Sequence, residues 1–227
     1  VNPDLDFAAI EEAYLSSATP ALFFDPFLTA EALSGLRHFC QDCTIFFGSD
    51  PAGYVSAYLA DGFNCSLMYQ IAEELKRCFP RVLGPHYLSN MWAYRHVAHG
   101  GGVTAHTDLA AVTFNFWITP EEANLDPRSG GLVVYKKEEP PEWDWLEINK
   151  KKNAPHIQEK IRAFLATAEP LVVPYGGNRA VMFHSNLFHE SDAMDFKDDF
   201  AERRVNITLL FGRHGTPAPG ARDADPR

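Results

Sequence analysis

From about residue 86 to residue 212 the chain is divided into short segments rich in aromatic and β-branched residues, each bounded by turn residues. The segments cover residues 87–97, 112–118, 132–136, 171–173, 180–183 and 205–212. Many short strands with this spacing are typical of an antiparallel sandwich or barrel. One helical pattern, at about 154–168, interrupts them. The sequence therefore predicts an antiparallel β core over residues 86–215.

The first 85 residues have a different character. Apolar residues recur at helical spacing in three segments. The first covers residues 7–16, the second follows a predicted N-cap at Thr29, and the third covers residues 66–79 and ends before Pro80. We therefore expect an α+β fold in which N-terminal helices pack against the sheet. The whole is predicted to be a single domain over residues 1–215, with 1–85 as a helix-rich support region. Residues 216–227, rich in proline, glycine and charge, are predicted to be a disordered tail.

Composition limits the partners and the compartment. The 227 residues are 46% hydrophobic, enough for one large buried core, and the formal net charge is −10. This charge argues against nucleic acid or an anionic membrane as the main partner. The sequence has no run of 18 apolar residues, so it does not predict a membrane-spanning helix. Cys40 and Cys43 form a single CxxC, which is a redox pair, half of a zinc site or two small apolar residues of an amphipathic helix. A cytoplasmic location is expected.

His106 and Asp108 are the first candidate metal ligands. They are separated by one residue in the segment HGGGVTAHTDLAAVTF. On an extended strand such residues point to the same face, about 6 to 7 Å apart. A distant histidine would complete a set of two histidines and one carboxylate, which leaves open positions on Fe(II). The alternative is a set of ordinary structural histidines.

Two histidines compete for the third ligand position. His184 continues the strand parity of Ala180 and Met182, which indicates a structural residue. His189 follows the turn at 185–186 and is expected to end a strand-turn segment. We therefore favour His189 as the third ligand.

The segment RRVNITLLFG carries a polar stripe. Arg204, Asn206 and Thr208 alternate with four apolar residues, so one face of the predicted strand is polar and the other apolar. This pattern fits either a ligand-lined interior or a solvated edge strand. In an interior, Arg204 could bind a carboxylate through two parallel charge-assisted hydrogen bonds. Arg203 has the opposite parity and is expected at the surface.

Taken in order, HTD, the histidine of FHES and the arginine of RVNITLL resemble the 2-oxoglutarate/Fe(II)-dependent oxygenase superfamily. Within it, the pattern HxD…H…R is most similar to the prolyl-hydroxylase-like branch. The resemblance covers about residues 92–212 and includes the segments GGLVVY and NRAVMF. It implies a double-stranded β-helix, or jelly-roll, core.

The same resemblance implies a set of cofactors and residue roles. Fe(II) would be held by His106, Asp108 and His189, and O₂ and 2-oxoglutarate would be cosubstrates. Arg204 would bind the distal carboxylate of 2-oxoglutarate, with support from Thr208. The tyrosine that this branch often places near HxD is not evident here, so further contacts to 2-oxoglutarate fall to one of three candidates: Asn115, Trp117 or Tyr94. His189 and Arg204 are 15 positions apart, which is more than is usual in this branch and leaves Arg203 open as an alternative.

The activity implied is a dioxygenase that hydroxylates an unactivated C–H bond and releases succinate and CO₂. Because Asp108 is a carboxylate, hydroxylation is favoured over halogenation, which needs that ligand position free for a halide. The substrate would be an amino acid, a peptidyl side chain or a small metabolite. Two other readings remain: a jelly-roll scaffold module with a vestigial metal site, and a cupin-type metal enzyme that does not use 2-oxoglutarate.

Overall fold

The computed structural model describes residues 1–97, 99–100 and 102–216. The helices are α1 Phe7–Leu15, α2 Ala30–Asp42, α3 Ser66–Cys78, α4 Trp145–Lys150 and α5 Pro155–Leu165. The strands are β1 Ala21–Phe24, β2 Gly48–Asp50, β3 Tyr54–Tyr58, β4 Leu88–His96, β5 His99–Gly100, β6 Val112–Trp117, β7 Leu132–Glu138, β8 Pro170–Val173, β9 Ala180–His184, β10 Leu187–Ser191, β11 Met194–Asp195 and β12 Val205–Phe211.

Local features of the sequence set the start of α2 and the end of α3. Thr29 caps α2, its hydroxyl accepting a hydrogen bond from the amide of Ala32 at 3.2 Å. Helix α3 has Lys76 and Arg77 in its last turn, where cations interact favourably with the helix dipole. Pro80 follows its C-cap, Phe79, and cannot continue the helix. These two amphipathic helices bury their apolar faces against the large sheet.

The large sheet has seven antiparallel strands in the order β1-β9-β6-β12-β4-β3-β2. A smaller sheet has the order β10-β7-β8, and β11 pairs with β5. One face of the large sheet packs against the N-terminal helices through residues such as Phe114, Ile207 and Leu209. Its other face meets the small sheet across a second cluster that includes Trp117, Phe183 and Val134. The polar cavity described below also opens on this second face.

The structure combines helices with a large antiparallel sheet, which confirms the mixed helix-and-sheet fold expected from the sequence. Several local expectations were wrong. His189 lies in the middle of β10 and does not end a strand-turn segment. His106 and Asp108 lie on an irregular segment between β5 and β6, where His106 makes only an isolated bridge. Of the predicted tail, residues 217–227 lie outside the described residues.

Among the described residues, no helix is both long and apolar enough to cross a membrane.

Candidate metal centre and cavity

His106, Asp108 and His189 converge at one point. Nε2 of His106 lies 3.7 Å from Oδ1 of Asp108, and Nε2 of His189 lies 3.4 Å from Oδ2. One ligand atom from each residue lies within 4.8 Å of the other two. Asp108 and His189 are buried, and His106 is partly buried. In the described parts of the chain, these three residues form the one cluster of histidine, cysteine or acidic side chains with this spacing.

Backbone pairing sets the distance between the two histidines. The amide of His106 donates to the carbonyl of His189 at 3.1 Å, and the amide of His189 donates back at 2.9 Å. The register between β10 and β7 shifts between Leu187 and His189. Such irregularities redirect side chains and are common beside functional sites. The amide of Asp108 donates to the carbonyl of Ser185 at 3.1 Å, which fixes the carboxylate relative to the turn between β9 and β10.

Each imidazole is held in one tautomer by a carbonyl two residues earlier in the chain. Nδ1 of His106 lies 2.7 Å from the carbonyl oxygen of Thr104, and Nδ1 of His189 lies 3.1 Å from that of Leu187. A carbonyl oxygen only accepts, so Nδ1 carries the hydrogen in both rings. Both Nε2 atoms are therefore left with lone pairs that face Asp108. Metal-binding histidines commonly have this arrangement.

Electrostatics favour an ionised Asp108 beside a neutral His106. Burial, with the nearby charge of Lys152, lowers the pKa of His106 well below its ordinary value. Burial alone would raise the pKa of Asp108, but the effects of His189, His106 and the Thr113 hydroxyl outweigh it and lower that pKa. The Thr113 hydroxyl donates to Oδ2 of Asp108 at 2.8 Å, so it must accept from the Ser185 hydroxyl, also at 2.8 Å.

This donor set fits a divalent transition metal. Two imidazole nitrogens and one carboxylate suit Fe(II) and leave coordination positions open for other ligands. Two atoms that each lie about 2.1 Å from one ion are at most about 4.2 Å apart. The two histidine–aspartate separations given above meet that limit.

Arg204 lies on the same cavity, almost fully buried. Its Nε donates to the carbonyl of Gly130 at 2.6 Å and its Nη2 to that of Gly131 at 3.0 Å. Its Nη1 is also buried, and no described residue accepts a hydrogen bond from it. Burial lowers the pKa of Arg204 to about 10, well above neutrality, so the guanidinium stays charged. A buried cationic donor without a partner is costly, which indicates that an anionic ligand completes it.

The glycine pair in GGLVVY makes this arrangement possible. Gly130 has φ of +90°, which favours glycine. A Cβ on Gly131 would lie 1.9 Å from the carbonyl oxygen of Val173. The two carbonyls can therefore turn towards Arg204 only because neither residue has a side chain.

Other predicted residues fall on or behind the cavity wall. The Thr208 hydroxyl donates to Oδ1 of Asn115 at 2.5 Å, and both line the cavity with Tyr94. Trp117 does not line it in the described structure. It is fully buried between the sheets, with its ring 5.4 Å from the guanidinium carbon of Arg204. The predicted parity of the last strand is confirmed, because Val205, Ile207, Leu209 and Phe211 face the helices while Asn206 and Thr208 face the cavity.

The competing residues lie elsewhere. His184 is buried outside the cluster, with Nδ1 3.2 Å from Oε1 of Glu138 and Nε2 3.0 Å from the carbonyl oxygen of Thr216. Arg203 is bound at the surface by Asp198, at 2.6 Å.

The cavity has a volume of about 400 Å³. Its lining includes residues that the sequence did not identify as site residues: Trp92 on β4, beside Thr208 of β12, and Trp145, Asn149 and Lys152 in and after α4. The WDWLEINKKK segment also fits a solvated charged face, so its sequence does not show which side chains turn inwards.

Comparison with proteins of known structure gives the class of this fold. A prolyl-4-hydroxylase from Pseudomonas putida aligns with a TM-score of 0.57 over 92% of this chain and 99% of its own, at 14% identity. The non-haem α-ketoglutarate-dependent epimerase SnoN from nogalamycin biosynthesis gives 0.58 over 97% and 92%, at 13% identity. HygX from Streptomyces hygroscopicus, with nickel and 2-oxoglutarate bound, gives 0.58 over 96% and 90%, at 10% identity.

These likenesses show that the chain shares the fold of non-haem, 2-oxoglutarate-dependent enzymes. Comparison of the sequence itself with protein-family models and with curated proteins finds no match to either.

Proposed function

We propose that this protein is an Fe(II)- and 2-oxoglutarate-dependent dioxygenase of the prolyl-hydroxylase-like branch. It would hydroxylate an unactivated C–H bond of an amino acid, peptidyl or small-metabolite substrate and release succinate and CO₂. One observation carries the proposal. Two histidines with their Nε2 atoms free and one ionised carboxylate share a cavity with a buried arginine that has an uncompensated N–H group.

In this proposal His106, Asp108 and His189 hold the iron. The hydrogen bonds from both Nδ1 atoms fix the rings, so no rotation is needed when a metal binds. Fe(II) with 2-oxoglutarate supplies oxygen activation coupled to oxidative decarboxylation. Thr113 and Ser185 orient the Asp108 carboxylate through their chain of hydroxyls.

Arg204 binds the distal carboxylate of 2-oxoglutarate. The guanidinium is already held by the carbonyls of Gly130 and Gly131, so it is oriented before the ligand arrives, and Nη1 is left to donate. Thr208 and Asn115, which are neighbours on the cavity wall, support the same carboxylate. Trp117 lies behind the cavity wall and packs its ring against the guanidinium of Arg204. Tyr94 is a further candidate for contact with 2-oxoglutarate.

The proposed architecture is a double-stranded β-helix over residues 86–215, supported by residues 1–85 within one domain. The packing of the small antiparallel sheet against the large one is in favour of this architecture. The insertion containing α4 and α5 covers one side of the cavity and would limit the access of water during reaction.

The first experiment is an anaerobic titration of the metal-free protein with Fe(II) and then 2-oxoglutarate, monitored by the visible charge-transfer band of the chelate. We expect the band in wild type and in His184→Gln, and no band in His189→Ala. Arg204→Met should weaken 2-oxoglutarate binding about 100-fold, because a charge-assisted hydrogen bond of about 3 kcal/mol is lost. Arg203→Met should bind 2-oxoglutarate as wild type does.

The same titration distinguishes the other candidate functions. A folded protein that binds Fe(II) but not 2-oxoglutarate would favour a cupin-type enzyme. A folded protein that binds neither would favour a scaffold with a vestigial site.

A further inference from the structure

The segment from α4 to the start of α5 forms the wall of the cavity opposite β12. It is anchored to the metal motif, because Oδ1 of Asn149 accepts from the amide of Thr107 and its Nδ2 lies 3.3 Å from the Thr107 hydroxyl. Thr107 stands between His106 and Asp108 in the chain. The side chains of this segment that line the cavity therefore keep a defined position relative to the metal cluster.

Lys152 belongs to this wall, and its ammonium has no partner. In the described parts of the chain, no carboxylate lies within 4.0 Å of its nitrogen and no side chain or carbonyl accepts a hydrogen bond from it. Its neighbour Lys151 points outwards and pairs with Glu147 at 3.4 Å. Burial lowers the pKa of Lys152, although Asp108 and Asp50 act against this effect. A half-buried cation without a directly paired counter-charge is destabilising unless a ligand supplies one.

The charges at the centre strengthen this argument. In the proposed function, a divalent ion, the Asp108 carboxylate, the dianion of 2-oxoglutarate and the Arg204 guanidinium together have no net charge. Lys152 is then a further cation on the cavity wall, together with Lys150, and its field reaches the metal cluster, since it lowers the pKa of His106. The opposite sign has to come from the substrate.

Part of the wall is aromatic and apolar. Trp92 and Tyr94 project from β4 into the cavity, with ring centroids 5.9 Å apart. Tyr94 stacks on Tyr54 at 4.2 Å, and its hydroxyl lies 2.9 Å from that of Tyr58, so this surface is held in place. At the mouth, Leu146 is 53% exposed although it lines the cavity. A substrate body that packs here is flat or apolar.

We propose that the primary substrate is a small molecule with a carboxylate or phosphate that pairs with Lys152 and an aromatic or apolar body that packs against Trp92 and Tyr94. This inference rests on the proposed function for the neighbouring centre, and it names the class of substrate for that centre. It disfavours cationic substrates, whose charge would be placed beside an ammonium.

The test uses the Ni(II)-loaded protein saturated with 2-oxoglutarate, so that the Arg204 site is filled. Phenyl phosphate, phenylacetate and 2-phenylethanol are each titrated by calorimetry and by tryptophan fluorescence. We expect the wild type to bind at least one of the two anions more tightly than the alcohol. Lys152→Met should weaken anion binding about tenfold or more and leave alcohol binding unchanged. Lys151→Met should match wild type, and Lys152→Arg should keep the preference for anions.

Thermal unfolding of the unliganded variants checks the fold. Lys152→Met should unfold at the same or a higher temperature than wild type, since it removes an uncompensated half-buried charge. The relative affinity of the two anions shows whether a carboxylate or a phosphate is preferred. Three results would each overturn the proposal: neither anion binding more tightly than the alcohol, no binding of either anion at millimolar concentration, or unchanged anion binding in Lys152→Met. Lys152-dependent anion binding by a protein that takes up no 2-oxoglutarate would contradict the proposed function alone.

Discussion

The orientation of each histidine in the metal cluster is encoded locally. In both, Nδ1 is held by the carbonyl of the residue two positions earlier, Thr104 for His106 and Leu187 for His189. The long-range part of the geometry is carried by the backbone pairing of the two histidines and by the hydroxyls that reach Asp108. Outer hydrogen bonds of this kind tune metal affinity although their donors never touch the ion.

Thr113 gives a direct test at this scale. Thr113→Val keeps the shape of a fully buried side chain but removes the donor to Asp108 Oδ2. We expect affinity for Fe(II) or Ni(II) to fall about tenfold. Thr119→Val is the matched control, because Thr119 is equally buried but bonds only the backbone of Arg203 and Val205. It should reduce stability and leave metal affinity unchanged. Equal metal affinity in wild type and Thr113→Val would contradict the assigned role.

At the residue scale the sequence predicts well what alternation determines. The parity of 204–208 separates Arg204 from Arg203, and the parity of 180–184 separates His184 from the cluster. It fails where position depends on contacts between distant segments. Nothing in the order of residues indicates that Asn149 bonds Thr107, or that Lys152 and not Lys151 turns inwards.

At the scale of elements, helix α1 is joined to the end of α3 by one buried carboxylate. Glu11 is 3% exposed, and its Oε1 accepts from the amides of Arg81 at 2.8 Å and Val82 at 3.0 Å. It thus satisfies two backbone donors that follow the last turn of α3. The neighbouring Glu12 reaches only the guanidinium of Arg81 at the surface.

Substitution of these two glutamates separates the buried bond from the exposed one. Glu11→Ala should lower the free energy of unfolding by about 3 kcal/mol, because two buried amides lose their acceptor. Glu12→Ala should leave it nearly unchanged, as is usual for an exposed ion pair. Urea unfolding followed by circular dichroism measures both. A similar small effect for the two variants would show that water replaces the Glu11 carboxylate.

The elements that the sequence predicts correctly are those with a full period of pattern. Residues 66–79 show the helical repeat and residues 205–212 the alternation, and both match within a residue or so. Strand β10 and helix α4 are missed for physical reasons. His189 and Ser191 are polar residues in a strand because they line the cavity, and Glu190, of opposite parity, accepts from the Tyr135 hydroxyl. Helix α4 is only six residues long and begins at the cap Asp144, too short for a period to emerge.

For the whole molecule, buried neutral histidines predict a loss of stability in acid. Burial and then the charge of Arg204 lower the pKa of His96 well below 6.5. Between the two pKa values the unfolded chain binds a proton that the folded chain does not, so folding weakens as the pH falls below about 6.5. Each such histidine contributes up to about 1.4 kcal/mol per pH unit.

Urea unfolding of the metal-free protein between about pH 7 and about pH 5 measures this loss. His96→Gln should show a smaller decline than wild type, and His38→Gln, which changes an exposed residue of α2, should show the same decline as wild type. A parallel decline in wild type and His96→Gln would mean that the ring is protonated in the folded protein.

The two outer strands of the large sheet both come from the first 50 residues: β1 at one edge and β2 at the other. Strand β1 pairs with β9, whose residues are synthesised about 160 positions later. During translation β1 therefore has no sheet partner until β9, which follows most of the chain, has been synthesised. Contacts of this length make folding slow. Helices α1 to α3, which need no distant strand to form, are the part able to become ordered early and shield the apolar surface meanwhile.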